Sequence, residues 1–111
     1  MKVSDMVEAL DLQVFSGEDG LGNEVTSGYT SDLLSDVMGN ISENATWITL
    51  QTHKNVIAIA SLRDISAVIL VKGLQPEEAT VIQSKLENIP LLGSKLQAFE
   101  LSGRLYQLLN K

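Results

Sequence analysis

Small polar side chains interrupt the apolar segments of this 111-residue chain at three places, and their types suit the binding of a small anion. These residues are Gly28, Tyr29, Ser31 and Asp32, then Gln51, Thr52, His53 and Asn55, and finally Ser94. Hydroxyl, amide and backbone N–H groups donate hydrogen bonds to anionic oxygens, and Lys54 would add a positive charge. If these segments follow parallel strands, one rim of a sheet would hold a polar or anionic ligand.

Helix capping explains the same residues without any ligand. Ser, Thr, Asp and Asn are common at helix starts because their side chains accept hydrogen bonds from otherwise unpaired backbone N–H groups. His53, the only histidine, would then be a hydrogen-bonded neighbour within its loop rather than a ligand contact or an acid–base group. The sequence leaves both interpretations open.

Motifs of enzymes and metal sites are mostly absent. Gly20 and Gly22 begin a dinucleotide-binding pattern, but Val25 stands where its third glycine belongs, and no Gly-Lys-Ser/Thr phosphate-binding loop occurs. The chain has no cysteine and one histidine, which gives little support for a metal site. We therefore expect no catalytic residues, no metal and no cofactor.

Composition and charge restrict the partners. With 14 acidic and 8 basic residues, the net charge of −6 would repel a nucleic-acid backbone. Asp5 and Glu8 interrupt the region in which a signal peptide would be apolar, and no apolar run is long enough to span a bilayer. We expect a cytoplasmic protein that binds neither nucleic acid nor membrane and forms one domain, 1–111.

The spacing of apolar residues predicts alternating helices and strands, because helical faces repeat every three to four positions and buried strands alternate or run continuously. In chain order these are helix 3–10, strand 12–15, strand 25–29, helix 33–38, strand 47–50, helix 55–63, strand 67–71, helix 76–86, strand 89–92 and helix 94–109. Segment 16–23 is rich in turn formers and is expected to be an exposed, mobile loop. Ser31 and Asp32 are expected to cap one helix, and Ser94 to open the last.

This order predicts an α/β fold, a three-layer α/β/α sandwich with a mostly parallel sheet of about four to five strands. In the helix after Pro76, Ala79, Ile82 and Leu86 are predicted to line one face of a half-exposed element. The last helix carries more apolar surface than one small sheet requires, which favours a homodimer through this layer. Those apolar residues are Leu101, Leu105, Leu108 and Leu109.

Four segments of the chain resemble the DRTGG domain family in their order and spacing. They are Val25-Thr26 with Gly28-Tyr29, Ser31 to Met38, Trp47 to His53 with Asn55, and Ala98 to Leu101. The resemblance covers nearly the whole chain. In the motif that names the family, Asn23 and Glu24 stand in the aspartate and arginine region, Ser27 replaces the first glycine, and Thr26 and Gly28 are kept.

The resemblance implies a fold similar to the N-terminal domain of HPr kinase/phosphorylase. It also implies a regulatory or dimer-forming module that has no catalytic activity of its own. Elsewhere such a module accompanies phosphate acetyltransferases and CBS-containing pyrophosphatases. The chain lacks the phosphate-binding loop of the kinase domain, so kinase activity is not expected.

Three hypotheses about function follow. The leading one is a non-catalytic, homodimeric regulatory module that binds a small anionic metabolite at the rim around Ser31, Thr52 and His53. The alternative is a structural module that binds a protein partner or a second copy of itself and has no small-molecule ligand. A minor enzyme that uses His53 and Asp32 as acid and base is the third.

Overall fold

A five-stranded sheet with helices on both faces organises the chain, and the computed structural model describes residues 1–111. In chain order the elements are α1 Val3–Leu10, β1 Gln13–Ser16, a 3-10 turn Glu18–Gly20, β2 Ser27–Thr30, α2 Leu34–Asn40, β3 Ala45–Thr49, α3 Asn55–Leu62, β4 Ala67–Leu70, α4 Glu78–Glu87, β5 Leu91–Gly93 and α5 Ala98–Leu109. The strand order is β1-β5-β4-β3-β2. Strands β2 to β5 are mutually parallel, and β1 pairs antiparallel with β5 at one edge.

Both faces of the central strands are buried, which explains why β4 is apolar at every position and β3 exposes none of its residues. On one face Trp47, Val68 and Leu91 pack against α2, α3 and α4. On the other face Ile48 and Ile69, among others, pack against α1 and α5. The predicted three-layer α/β/α sandwich with a mostly parallel sheet is confirmed.

The last helix begins later than predicted. Helix α5 starts at Ala98 with Gln97 at its N-cap, so Ser94 does not open it. The Ser94 hydroxyl instead accepts a hydrogen bond from the backbone N–H of Leu96 at 3.1 Å, which closes a tight turn before the helix. The capping-box prediction is therefore wrong, and Ser94 lies in the turn that follows β5.

The predicted exposed, mobile loop at 16–23 is partly buried. Gly17 has a left-handed φ of 78°, and a Cβ at this position would collide with the backbone of Ile89 and Pro90. Gly20 is also buried, beside Pro90, and the Ser16 hydroxyl hydrogen-bonds to that of Ser84. The prediction failed because these turn formers allow close packing against the start of β5.

Helix α4 buries two polar residues, Thr80 and Ser84, against the sheet, together with the half-buried Val81. The Thr80 hydroxyl donates to the carbonyl of Thr52 at 2.8 Å, and Ser84 donates to the carbonyl of Val81 at 3.0 Å. Their hydroxyls are satisfied internally, so burial costs little. The predicted apolar face is consequently on the outside, with Ile82 52% and Leu86 71% exposed.

The leucines of α5 mainly contribute to the core. Leu101 and Leu105 are fully buried against the sheet, whereas Leu108 and Leu109 are half-buried. The apolar side chains that protrude from this helix are Phe99 and Tyr106. None of the helices combines the length and the apolar composition that a membrane crossing would require.

Candidate ligand site at the carboxyl ends of the strands

The carboxyl ends of β2 to β5 meet at one edge of the sheet, which we call the carboxyl edge. The predicted site residues near Ser31 and Thr52 follow β2 and β3, which are neighbours. Ser94 follows β5, which β4 separates from β3. Two strand spacings amount to about 10 Å, so the carboxyl edge has two distinct halves.

In the half formed by β2 and β3, Asp32 joins the two strand ends. Its Oδ1 accepts hydrogen bonds from the Thr49 hydroxyl at 3.0 Å and from the Leu50 backbone N–H at 2.7 Å. The side-chain amide of Gln51 donates to the carbonyl of Asp32 at 2.9 Å. These predicted site residues therefore bind each other and hold the loop.

Ser31 and Tyr29 are also engaged within the protein. The Ser31 hydroxyl accepts from the Leu33 N–H at 3.2 Å, and its carbonyl accepts from the indole N–H of buried Trp47 at 2.8 Å. The Tyr29 hydroxyl donates to the Asp36 carboxylate at 2.9 Å. This hydrogen bond, with smaller effects of burial and of the Asp36 charge, raises the pKa of Tyr29 above 10.0.

Gly28 lies apart from both halves, on the free edge strand β2. It lines a separate cavity of about 150 Å³ with Leu105 and Tyr106 of α5. A Cβ at this position would lie 3.0 Å from Cδ2 of Leu105. A larger residue at position 28 would thus crowd the packing between β2 and α5.

Thr52, His53 and Asn55 remain available to a ligand. Thr52 and His53 are half-exposed and Asn55 is exposed, and none of these side chains makes a hydrogen bond to another protein group. They lie on the surface, outside the three main cavities. A ligand at this half of the carboxyl edge would therefore be held without an enclosing wall.

The other half of the carboxyl edge contains a half-open cavity of about 310 Å³, which we call the carboxyl-edge cavity. Its apolar wall consists of Leu10, Phe15, Leu74 and Leu96. Its polar side chains are Asp11, Gln13, Gln75, Ser94, Lys95 and Arg104. Concave sites with apolar walls and few polar groups are the usual form of small-molecule sites, and about 300 Å³ is the lower end of their range.

Gly93 and Ser94 form the part of this cavity that follows β5. Gly93 has no side chain, which lets the Phe15 ring from the antiparallel strand β1 lie over it. Ser94 is 7% exposed, and its hydroxyl accepts a hydrogen bond without donating one to any protein group. The Ser94 hydroxyl can therefore donate a hydrogen bond to an acceptor on a ligand.

The charge of the carboxyl-edge cavity differs from that of the whole chain. Two cations, Lys95 and Arg104, line it together with one anion, Asp11, whereas the chain carries a net charge of −6. Lys95 forms no salt bridge, and Arg104 donates to the carboxylate of Glu100 at 2.7 Å on an exposed helix face. The cavity is thus a locally basic site on an acidic protein.

A cavity of about 370 Å³ at the opposite edge has the reverse character. It lies where the parallel strands begin, and its lining includes Glu24, Asp64 and Glu87 but no lysine or arginine. Such a surface repels anions. No group of three or more histidine or acidic side chains is placed to hold a metal ion.

Sequence reasoning missed Phe15, Lys95 and Arg104 as cavity residues. Lys95 could have been included because it follows Ser94 directly. Phe15 and Arg104 carry no local signal, because their placement depends on β1 pairing with β5 and on where α5 crosses the sheet.

Comparisons with known proteins place the fold. No protein-family model matches the sequence, and no curated protein matches it. A solved structure does match: the CBS and DRTGG domains of the regulatory region of Clostridium perfringens pyrophosphatase, in complex with the activator diadenosine tetraphosphate. The TM-score is 0.71 at 16% sequence identity over 96% of this chain.

This similarity supports a DRTGG-like fold. The chain covers 46% of the matched structure, less than half of its length.

Proposed function

We propose that this protein is a regulatory, ligand-sensing module without catalytic activity, which forms a homodimer and binds a small anionic metabolite at the carboxyl edge. The fold similarity supports a regulatory role, because the matched region belongs to a pyrophosphatase whose activator is diadenosine tetraphosphate. That activator is a polyanionic nucleotide. A small anionic ligand is the corresponding expectation for this chain.

The observation that carries the proposal is the combination of Ser94, Lys95 and Arg104 around one cavity. The nearly buried hydroxyl of Ser94 can donate a hydrogen bond to a ligand. The side chains of Lys95 and Arg104 can donate charge-assisted hydrogen bonds to oxyanions. An arginine already paired at a protein surface can exchange an exposed carboxylate for a ligand at little cost, since exposed pairs contribute little. The basic lining would also attract anions to an otherwise acidic protein.

The apolar wall narrows the class of ligand further. Phe15, Leu74 and Leu96 can cover a flat or apolar body, while the basic side chains hold an anionic group. An organic phosphate or carboxylate with a ring meets both requirements. The cavity suits a ligand the size of one mononucleotide rather than a whole dinucleotide.

The acid–base pair of an enzyme is less well supported. The His53 ring has no hydrogen-bond partner to orient it, and Asp32 uses its Oδ1 for Thr49 and Leu50. A histidine that acts as a general base normally needs a partner that orients its ring. A catalytic carboxylate must be free to exchange protons. In a regulatory module, Asp32 and His53 are simply residues of the loops that follow β2 and β3.

Isothermal titration calorimetry with adenosine monophosphate, inorganic phosphate and diadenosine tetraphosphate tests this proposal. We expect wild type to bind adenosine monophosphate, and Arg104→Gln and Ser94→Ala to weaken that binding by about tenfold or more. Thr52→Ala is the matched control at the other half of the carboxyl edge and should leave affinity unchanged. Loss of binding in Thr52→Ala alone would place the ligand at the originally predicted rim.

A structural partner-binding module without a ligand is the second candidate. The exposure of large apolar side chains favours it, notably Leu62 at 67% and Phe99 at 92%. It predicts no binding of any of the three probes. It also predicts that Ser31→Ala and Thr52→Ala leave partner affinity unchanged.

A further inference from the structure

Helix α4 exposes an apolar stripe in spite of its packing against the sheet. Ala79, Ile82 and Leu86 are spaced three and four residues apart and lie on the outward face. Ile82 is 52% and Leu86 71% exposed, so neither is covered within the chain. This spacing is that of the a and d positions in a helix that pairs with another helix.

Leu62 of α3 widens the stripe. The Ser61 hydroxyl donates to the carboxylate of Glu87 at 2.9 Å, which joins the ends of α3 and α4. Leu62 follows Ser61 at this end of α3, and its side chain is 67% exposed. We call the surface formed by Leu62, Ala79, Ile82 and Leu86, with the flanking Glu78 and Lys85, the α3–α4 face.

The charges that flank the stripe are complementary to each other. Glu78 and Lys85 are seven residues apart on one side of the stripe, and both are exposed. Neither forms a salt bridge within the chain. If Ala79 and Leu86 are assigned to heptad position a and Ile82 to heptad position d, Glu78 and Lys85 fall at successive g positions.

An antiparallel pairing of two α4 helices uses both charged residues and the three apolar residues of this helix. Glu78 of each copy then lies opposite Lys85 of the other copy, which makes two ion pairs. The small Ala79 packs against the large Leu86 of the second copy, and Ile82 lies near the two-fold axis. A parallel pairing would instead place Glu78 opposite Gln83, with no ion pair, so the charges select the antiparallel arrangement.

We propose that a second copy of this chain docks on the α3–α4 face, with the two α4 helices antiparallel about a two-fold axis. The inference rests on the homodimer in the proposed function and names its interface. It does not involve the carboxyl-edge cavity, because no residue of the α3–α4 face lines that cavity. A two-fold interface is the commonest kind in homodimers, and it requires such self-complementarity.

Helix α5 lacks the corresponding charge arrangement. Phe99 and Tyr106 are exposed there, but Glu100 and Arg104 already pair with each other within the helix at 2.7 Å. No unpaired complementary charges remain to orient a second copy. The α3–α4 face is therefore the better interface.

Sedimentation equilibrium of charge-reversal variants tests the inference. We expect wild type to dimerise, Ile82→Asp to raise the dimer dissociation constant about a hundredfold, and Glu78→Lys or Lys85→Glu about tenfold. The double variant Glu78→Lys/Lys85→Glu should return to within about threefold of wild type, because both ion pairs re-form with reversed polarity. A mixture of the two single variants should form heterodimers for the same reason.

Phe99→Ser on α5 is the matched control and should leave the dimer intact. Circular dichroism and the fluorescence of buried Trp47 verify that each variant is folded. An unchanged dimer in Ile82→Asp, or a double variant no better than the single ones, would overturn this interface but not the homodimer. A wild type that remains monomeric at millimolar concentration would overturn both and leave the ligand proposal standing.

Discussion

The ring of Phe15 occupies the space that a side chain at Gly93 would need, since an added Cβ would lie 2.6 Å from Cε2 and 2.8 Å from Cζ of that ring. The contact joins the antiparallel edge strand β1 to β5, immediately before Ser94. One wall of the carboxyl-edge cavity therefore depends on a glycine. The relationship links packing in the sheet to the volume available for a ligand.

Gly93→Ala should displace the Phe15 ring toward the carboxyl-edge cavity. We expect it to lower the free energy of unfolding by about 1–3 kcal/mol, as overpacking does, and to weaken binding of adenosine monophosphate. Urea denaturation and calorimetry measure the two effects. Gly103→Ala is the control, because a Cβ there meets nothing within 4 Å, and alanine should stabilise helix α5 by about 0.5–1 kcal/mol. Equal stabilities of the two variants would contradict the contact.

Asp32→Ala should destabilise the protein through the joined ends of β2 and β3. The substitution leaves the Thr49 hydroxyl and the Leu50 N–H without their acceptor, and we expect a loss of about 1–3 kcal/mol in unfolding free energy. Asp19→Ala, at an exposed position in the 3-10 turn, should change stability by less than about 0.5 kcal/mol. If both substitutions had the same small effect, Asp32 would have no structural role.

Ionisation of Tyr29 should depend on Asp36. In a Tyr106→Phe background, absorbance near 295 nm reports Tyr29 alone, and its pKa should exceed 10.0. Adding Asp36→Asn should lower that pKa, because the charged hydrogen-bond acceptor is removed. Since the folded-state pKa is raised, the pair contributes stability below pH 10, and this stability is lost as the pH rises through the raised pKa. An identical titration in both backgrounds would contradict the contact.

The order of elements was predictable from sequence because it depends on local periodicity. Ala67 to Val71, for example, is apolar at every position because both faces of β4 are covered. Pairing of β1 with β5 was not predictable, because it joins residues about 80 positions apart, from Gln13 to Gly93. The carboxyl-edge cavity depends on that pairing, and for this reason only Ser94 of its polar residues was predicted.

The sequence did not show which face of α4 is buried, for a different physical reason. Thr80 and Ser84 are as regularly spaced as the apolar residues of the helix, and their hydroxyls find acceptors at Thr52 and Val81. A prediction from the periodicity of apolar residues assumes that the core contains no hydroxyl groups. This assumption fails where buried hydroxyls find hydrogen-bond acceptors within the protein. The same property leaves Ile82 and Leu86 available for a second copy.

The most direct test of the central claim is a titration of ¹⁵N-labelled protein with adenosine monophosphate, followed by two-dimensional amide NMR spectra. Binding in the carboxyl-edge cavity predicts the largest, saturable shifts at residues 93–96 and 73–75, with residues 51–55 little affected. Arg104→Gln should reduce these shifts at equal ligand concentration. Shifts confined to 51–55, or no shift at all up to millimolar ligand, would contradict a ligand site in this cavity.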